Sequence, residues 1–304
     1  MSGALDGQQT LSDTAFLLGA GRSGTTLLYK LLCLHPKVAY VSNYEKKLSW
    51  LPDGLVSGTF ANRAAIKRKA WFDRGNAYFV SRPWVKRLVP TPVEGEFAYA
   101  ACGVPLVPEA NYLPDSATRD CLSNRFEKIR VRSRANVLVS KRTANNRRVP
   151  TLRAIFPNAK YVHLIRDGRD VAHSLSQVGW WDDHVLWWDG RTAKDAEASG
   201  CDRLLLCASN WVHEIAALTS GMANLPEGQV LEIRYEDLLD DPEGQLTTIL
   251  NFLGIPVTET YLTLVRSLQL SHRPPAWSNV WSHKQLTSVL EVEQATLRQL
   301  GYIN

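Results

Sequence analysis

Apolar residues fall along the chain in two alternating arrangements. Short unbroken runs, such as AFLL at 15–18 and VLV at 137–139, are each followed by a turn. After the turn, apolar positions recur every three or four residues. An unbroken run bounded by turns reads as a buried strand, and the wider spacing as one face of a helix. Strands are therefore predicted at 15–18, 38–41, 137–140, 161–165 and 230–233. Helices are predicted from Thr25 onward and over 150–156, 171–176, 204–222 and 242–253. In the first helix Leu27, Leu28, Leu31 and Leu32 share a face, and His35-Pro36 closes it, since a residue before proline is pushed out of the helical region. Strands alternating with helices predict an α/β fold, a P-loop-like three-layer sandwich whose central parallel sheet carries helices on both faces. Ligands then bind beyond the carboxyl ends of the strands. From 46 to 136 the pattern weakens. Helical stretches at 61–74 and 117–131 alternate with Pro/Gly-rich segments at 90–92 and 103–108. This predicts one domain over 1–304 with an insertion, at about 48–134, covering the site.

The first strand-to-helix turn is Gly19-Ala20-Gly21-Arg22-Ser23-Gly24, leading into Thr25-Thr26. Glycines permit close backbone approach, and loop N–H groups with a helix N-terminus attract an anion. Arg22, Ser23, Thr25 and Thr26 add side-chain donors. Gly19 to Gly24 has the spacing of the nucleotide-triphosphatase loop, but Thr25 stands where that pattern requires lysine, and Arg22 puts the charge inside the loop. An ordinary ATPase or GTPase is disfavoured. The same kind of turn also joins strand to helix in α/β proteins that bind no phosphate. The second informative stretch is KYVHLIRDGRDVAHSLS at 160–176. A strand delivers Arg166 at its carboxyl end, and Ser174 on the following helix reaches back to the same region. A guanidinium fork and a hydroxyl suit a phosphate monoester. Alternatively Arg166 pairs with Asp167 or Asp170 at the turn.

Composition narrows the classes. Hydrophobic content of 45% and charged content of 21% are those of a soluble globular protein. A net charge of +5 suits an anionic ligand and is too diffuse to imply nucleic acid. The N-terminal MSGALDGQQTLSDT has no basic region followed by an apolar core, and no run of 18 apolar residues exists, so neither a leader nor a transmembrane span is expected. The five cysteines, Cys33, Cys102, Cys121, Cys201 and Cys207, include no C-x-x-C pair. Neither a disulfide framework nor a metal cage is expected from them, and a reducing cytoplasm fits.

Taken together, GAGRSGTT and, roughly 140 residues later, FPNAKYVHLIRDGRDVAHS resemble the sulfotransferases that use 3′-phosphoadenosine 5′-phosphosulfate (PAPS). The resemblance covers residues 15–47 and 137–176. It is softer over 204–302, where RYEDL at 234–238 and the 277–284 region still fit, and it is absent over 48–134. An arginine in the loop, where small-molecule enzymes carry lysine, brings the chain nearer the bacterial and the tyrosylprotein or carbohydrate branches. The resemblance implies that Gly21, Arg22, Ser23, Gly24, Thr25 and Thr26 hold the 5′-phosphosulfate and that Arg166 and Ser174 hold the 3′-phosphate. It places Lys141 near the transferring sulfonate, and Lys284, with Trp281 nearby, on a late loop closing over the nucleotide. PAPS would be the co-substrate, no metal would be required, and the acceptor would be a hydroxyl of a small molecule, lipid or carbohydrate.

Sulfonate transfer needs fixed positive charge on the oxygen bridging to the leaving nucleotide, and a base for the acceptor. Arg22 and Lys141 would supply the charge. Related branches carry their base shortly after the first helix. Glu45 is the candidate here, although Ser42-Asn43 stands at the aligned point and Glu45 could instead pair at the surface with Lys46 or Lys47. His173, His184 and the helix-ending His35 are the other candidates. Trp180, Trp181, Trp187 and Trp188 surround Asp182, Asp183 and His184. These rings either stack on an acceptor or pack as a satellite core, and Trp71 and Trp84 pose the same alternative. The basic run at 66–74 reads as a solvated helix face. Two other classes stay open: a P-loop nucleotide kinase, and a non-catalytic nucleotide-binding protein of the same fold.

Overall fold

Five parallel strands stand in the order β2-β3-β1-β4-β5. They are β1 (Thr14–Leu18), β2 (Val38–Ala39), β3 (Val137–Lys141), β4 (Lys160–Ile165) and β5 (Val230–Arg234). The structure, a computed structural model, describes residues 13–72, 88–109, 112–271 and 274–304. Helices α1 (Thr25–Leu34), α2 (Asn43–Lys47), α3 (Leu55–Thr59), α4 (Ala64–Trp71), α5 (Glu96–Ala101) and α6 (Ser116–Arg132) precede β3. Between β3 and β5 come α7 (Val149–Ile155), α8 (Gly168–Ser176), α9 (Ala193–Ala198) and α10 (Arg203–Met222). The chain ends with α11 (Tyr235–Asp240), α12 (Pro242–Phe252), α13 (Glu259–Arg266) and α14 (His283–Gln299). All five expected strands are present, with 38–41 shortened to two residues of ladder.

β1, β2, β3 and nearly all of β4 are buried on both faces, because helices cover both, whereas the edge strand β5 is partly open and exposes Glu232. On β1, Ala15 and Leu17 pack toward α1, α4, α12 and α13, whereas Phe16 and Leu18 pack toward α5, α6, α7 and Leu218 of α10. Leu28, Leu31 and Leu32 of α1 are fully enclosed, and removing each from water stabilises the fold by about 1.5–3 kcal/mol. In register, Leu17 stands opposite Lys141 of β3 and Leu18 opposite His163 of β4. The strand order reverses at β1, so its carboxyl end opens onto the crevice between β3 and β4, where ligands bind in such sheets.

The stretch 48–134 contributes to the sheet's own packing. Its longest helix, α6, lies on the sheet face shared with α7 and serves as the β2-to-β3 crossover. Asp115 caps α6 by accepting from Thr118 N at 2.8 Å. α4 packs on the opposite face beside α1, where Trp71 is fully buried, edge-on to Tyr40, and donates from Nε1 to Pro90 O at 3.1 Å. Trp71 is therefore core. Trp84, and residues 73–74 of the basic run, lie outside the described residues. Within the described part of that run, Lys67 is not solvated. It is wholly buried, donates to Cys33 O at 2.7 Å, and burial pushes its ammonium down to about 8.

The cysteine expectation is corrected. Cys102, just past α5, is bonded to Cys121 of α6, with Cα atoms 5.4 Å apart. Sequence spacing gave no sign of this pair because it is made by tertiary packing of two helices. Cys33, Cys201 and Cys207 are free thiols. The bond removes the case for a reducing compartment that rested on unpaired cysteines. Among the described residues no helix is long and apolar enough to cross a membrane.

Candidate active site

The loop after β1 is held open by backbone geometry. Gly19 has φ +150°, and a Cβ there would lie 2.6 Å from Leu164 O. Gly24 has φ +88°, and a Cβ would meet the Tyr235 ring at 2.3–2.4 Å. Both positions require glycine for close approach as well as for φ. Arg22 adopts φ +70°, a left-handed conformation that costs an L-residue roughly 1–2 kcal/mol. Two partners fix it there. Its Nε donates to Ser174 Oγ at 3.0 Å, and its carbonyl accepts from Arg166 NH1 at 3.0 Å. The second motif thus closes directly onto the first.

A second clamp comes from the 3-10 turn Thr143–Arg147 that follows β3. Asn146 Nδ2 donates to Gly19 O at 2.9 Å, and Gly19 N donates to Asn146 Oδ1 at 3.2 Å. The same Nδ2 donates to Glu214 Oε2 of α10 at 2.6 Å. The loop is therefore braced by the segments that follow β3 and β4 and by α8, with α10 behind Asn146.

The electrostatics are those of a site built for an anion. Arg22 and Arg166 face each other, and burial together with Arg166 holds the Arg22 guanidinium below its ordinary value. Asp170 lies 3.6 Å from Arg166 NH2, and the guanidinium stacks 4.5 Å from the Tyr235 ring centroid. Arg166 Nε is buried without an acceptor, and so is the hydroxyl of Ser23, which is 1% exposed. The first-turn N–H groups of α1 have no acceptor within the helix. Unsatisfied buried donors beside two arginines fit a ligand carrying phosphate groups.

Lys141 ends β3 at the rim of the loop. Its Nζ pairs with Glu94 Oε1 at 2.5 Å, and Thr143 N donates to Glu94 Oε2 at 3.4 Å. Glu94 reaches this point because 91–93 lies antiparallel along the end of β2. Asn43 N donates to Thr91 O and Val93 N to Val41 O, each at 3.0 Å. Gly95 then turns into α5 at φ +66°, where a Cβ would press on Val41.

These groups line one cavity of about 680 Å³. Gly21, Arg22, Gly24, Thr25 and Thr26 line it together with Arg166, Ser174 and Tyr235. Lys141, Glu94, Thr143 and Ala144 line it too, as do Trp180, Trp181, His184, Asn210, Glu214 and Arg147. Asn210 and Glu214 are one helical turn apart on α10, so one face presents both. Burial pushes the Glu214 carboxyl up, and Arg147 Nε stands 3.8 Å from it. Of the described residues in 48–134, Glu94 alone lines this cavity.

Several candidates stand elsewhere. Glu45 is buried in a capping box at the start of α2: its Oε2 accepts from Ser42 N at 2.7 Å and from the Ser42 hydroxyl, and its Oε1 from Ser57 Oγ at 3.0 Å. Its carboxylate satisfies protein donors and does not line the cavity. Lys284 is exposed on the first turn of α14, away from the cavity lining. His35 accepts from Lys37 N at 3.1 Å, and its Nε2 lies 3.2 Å from Pro256 O. His173 sits edge-on to Trp281, 6.0 Å between ring centroids. Of the four base candidates only His184 lines the cavity. The tryptophans divide: Trp181 is enclosed and stacked on His184, Trp188 stacks on His213, Trp187 covers Arg147, and Trp180 is 51% exposed. Sequence reasoning passed over Glu94, Asn146, Asn210, Glu214 and Tyr235. Tyr235 lay within the RYEDL segment, whereas nothing around Glu94 marked it.

Residues 15–259 match the model of the Sulfotransferase family. An omega-hydroxy-beta-dihydromenaquinone-9 sulfotransferase of Mycobacterium tuberculosis is 28% identical over 139 residues, covering 46% of this chain and 34% of that protein. A protein-tyrosine sulfotransferase A of Caenorhabditis elegans is 25% identical over 253 residues, covering 83% of this chain and 52% of that protein. The matches thus span between about a third and a half of these curated relatives' lengths. Among solved structures, a sulfotransferase from Mycobacterium avium superposes with a TM-score of 0.59 over 95% of this chain and 77% of that one, at 13% identity. That likeness concerns the fold.

Proposed function

Because the chain belongs to the sulfotransferase family, we propose that it moves a sulfonate group from PAPS to a hydroxyl of a small-molecule, lipid or carbohydrate acceptor. The observation that carries this reading is the convergence of Arg22, Arg166 and Ser174, from segments 144 and 152 residues apart, on the glycine loop of one cavity. An anion with two separated phosphate groups matches that arrangement: the loop and helix N-terminus suit one, and the Arg166–Ser174 end suits the other. Bound there, PAPS supplies the activated sulfonate.

The remaining chemistry falls to the chain's own side chains. Gly21 to Thr26 cradle the 5′-phosphosulfate, and Arg166 with Ser174 hold the 3′-phosphate. Arg22 and Lys141 place fixed charge on the bridging oxygen as the S–O bond to the nucleotide breaks and the acceptor O–S bond forms. Glu94, already at Lys141, takes the acceptor's proton and returns it to solvent. Lys141 holds the carboxylate in place in the free protein and is drawn toward the donor when the donor is bound. Arg166→Ala tests the assignment. It is expected to weaken adenosine 3′,5′-bisphosphate (PAP) by roughly 10- to 150-fold, for loss of a charged hydrogen bond of about 1.5–3 kcal/mol, and to weaken adenosine 5′-phosphate far less. Calorimetric titration with both nucleotides reads this, and equal losses would remove Arg166 from the 3′-phosphate.

A further inference from the structure

The glycine loop begins where the sheet can no longer hold it. The β1–β3 ladder ends with Leu17 opposite Lys141, and past Lys141 the chain turns into the 3-10 segment Thr143–Arg147. Gly19 is left with a backbone N–H and C=O that β3 cannot pair, and buried backbone groups of this kind need a partner. Asn146, 1% exposed, supplies both bonds from one carboxamide. Its Oδ1 accepts from Gly19 N at 3.2 Å, and its Nδ2 donates to Gly19 O at 2.9 Å. A side-chain amide thereby takes the place of a strand residue.

The amide is held in one orientation from behind. Nδ2 has two hydrogens: one goes to Gly19 O and the other to Glu214 Oε2 of α10 at 2.6 Å. Glu214 is 3% exposed, Arg147 Nε stands 3.8 Å from its Oε1, and the Trp187 side chain hydrogen-bonds the same carboxyl. With Nδ2 turned to two acceptors, Oδ1 is left for Gly19 N. Asn146 does not line the cavity, so it acts on a ligand only through Gly19. One residue beyond Gly19, the turn over 20–23 closes by Ser23 N donating to Ala20 O at 3.1 Å, and it carries Gly21 and Arg22 into the cavity lining.

Resting on the sulfotransferase reading, we infer that Asn146, oriented by Glu214, is a positioning residue for the 5′-phosphosulfate: it fixes the start of the loop before the donor arrives. Arg166 and Ser174 fix the loop again at Arg22, so the two devices divide the nucleotide between them. Loss of Arg166 falls on the 3′-phosphate. Loss of the Asn146 brace falls on the 5′ end, which PAP and adenosine 5′-phosphate share. Donors held in place before binding need no reorganisation when charge develops on the bridging oxygen. The brace needs a carboxamide, because aspartate at this position has no hydrogen to give and leucine at Glu214 has no oxygen to accept.

Calorimetric titration of the full chain with PAP and with adenosine 5′-phosphate, alongside thermal melts, provides the test. Asn146→Asp is expected to weaken both nucleotides by the same factor, roughly tenfold, because the donors to Gly19 O and Glu214 are gone. Glu214→Leu is expected to weaken both by roughly three- to tenfold. Glu214→Gln keeps an acceptor oxygen for Nδ2 and should stay within about twofold of wild type. A residue that merely supports the fold would lower the melting temperature and leave both affinities in place. That result in Asn146→Asp, or a loss confined to PAP, would overturn the assignment. If Asn146→Asp does not fold, the Glu214 pair decides, and equal affinities in the Leu and Gln variants would overturn it. Failure of the wild-type chain to bind either nucleotide would instead overturn the sulfotransferase reading beneath it.

Discussion

Glu45 and Glu94 show how little a residue type says until its partners are known. Both are glutamates near the carboxyl end of the sheet. Glu45 spends its carboxylate on Ser42 and Ser57, whereas Glu94 reaches the cavity with Lys141 as its partner. Glu45→Ala is expected to lower stability by about 1 kcal/mol through loss of the capping box, with PAP affinity and turnover retained. Glu94→Gln is expected to preserve fold and PAP affinity within a few fold and to reduce turnover by roughly 10²–10⁴. Denaturant melts and steady-state assays on the two variants separate the roles, and a reversal of the two outcomes would return the base to Glu45. The sequence exposed Arg22, Arg166 and Ser174 because they sit at fixed offsets from strand ends, where local pattern determines position. It concealed Glu94, because that residue is placed by 91–93 pairing with 41–43 beyond the end of β2, a contact with no local signature.

At the level of elements, regular α/β order was legible wherever a strand is buried on both faces. The β1–α1, β3–α7 and β4–α8 units follow the apolar pattern closely. Within 48–134 the helical stretches at 61–74 and 117–131 were legible, and α4 and α6 stand there, but their place in the fold was not. The crossover helix α6 has few apolar residues: only Leu122, Phe126 and Ile129 are its large buried side chains. Its anchoring to α5 depends on the Cys102–Cys121 bond as well as on packing. That bond spans a sequence separation of 19 residues, and its removal is expected to cost about 2–4 kcal/mol. A Cys102→Ser/Cys121→Ser double variant should melt correspondingly earlier than wild type under non-reducing conditions. Coincident melts would mean that helix packing alone holds α5 to α6.

Two buried titratable groups set opposite limits on the stability of the whole molecule. Burial pushes His35 down to about 4 from an ordinary 6.5. Between those values the unfolded chain binds more protons, so stability falls as pH drops from 6.5 toward 4, by roughly 3 kcal/mol. Glu293 of α14 is fully buried, neither carboxyl oxygen has a hydrogen-bond partner, and burial pushes it up to about 9. Here the folded state holds the extra proton, so its contribution is intact below 4.5 and is lost as pH rises through 9. Glu293→Gln should therefore stabilise the protein by roughly 2–3 kcal/mol at pH 7 and have little effect at pH 4.5, as read by urea denaturation at both values. Equal effects at the two pH values would contradict a buried neutral acid. A ligand with two phosphate positions, held by two motifs in one cavity, is tested most directly by a thermal-shift titration of the wild-type chain with PAP, adenosine 5′-phosphate and ATP–magnesium. PAP without added metal is expected to raise stability by about 2.7 kcal/mol at a hundredfold excess over its Kd, and adenosine 5′-phosphate by much less at the same concentration. A shift with ATP–magnesium and none with PAP would contradict the account.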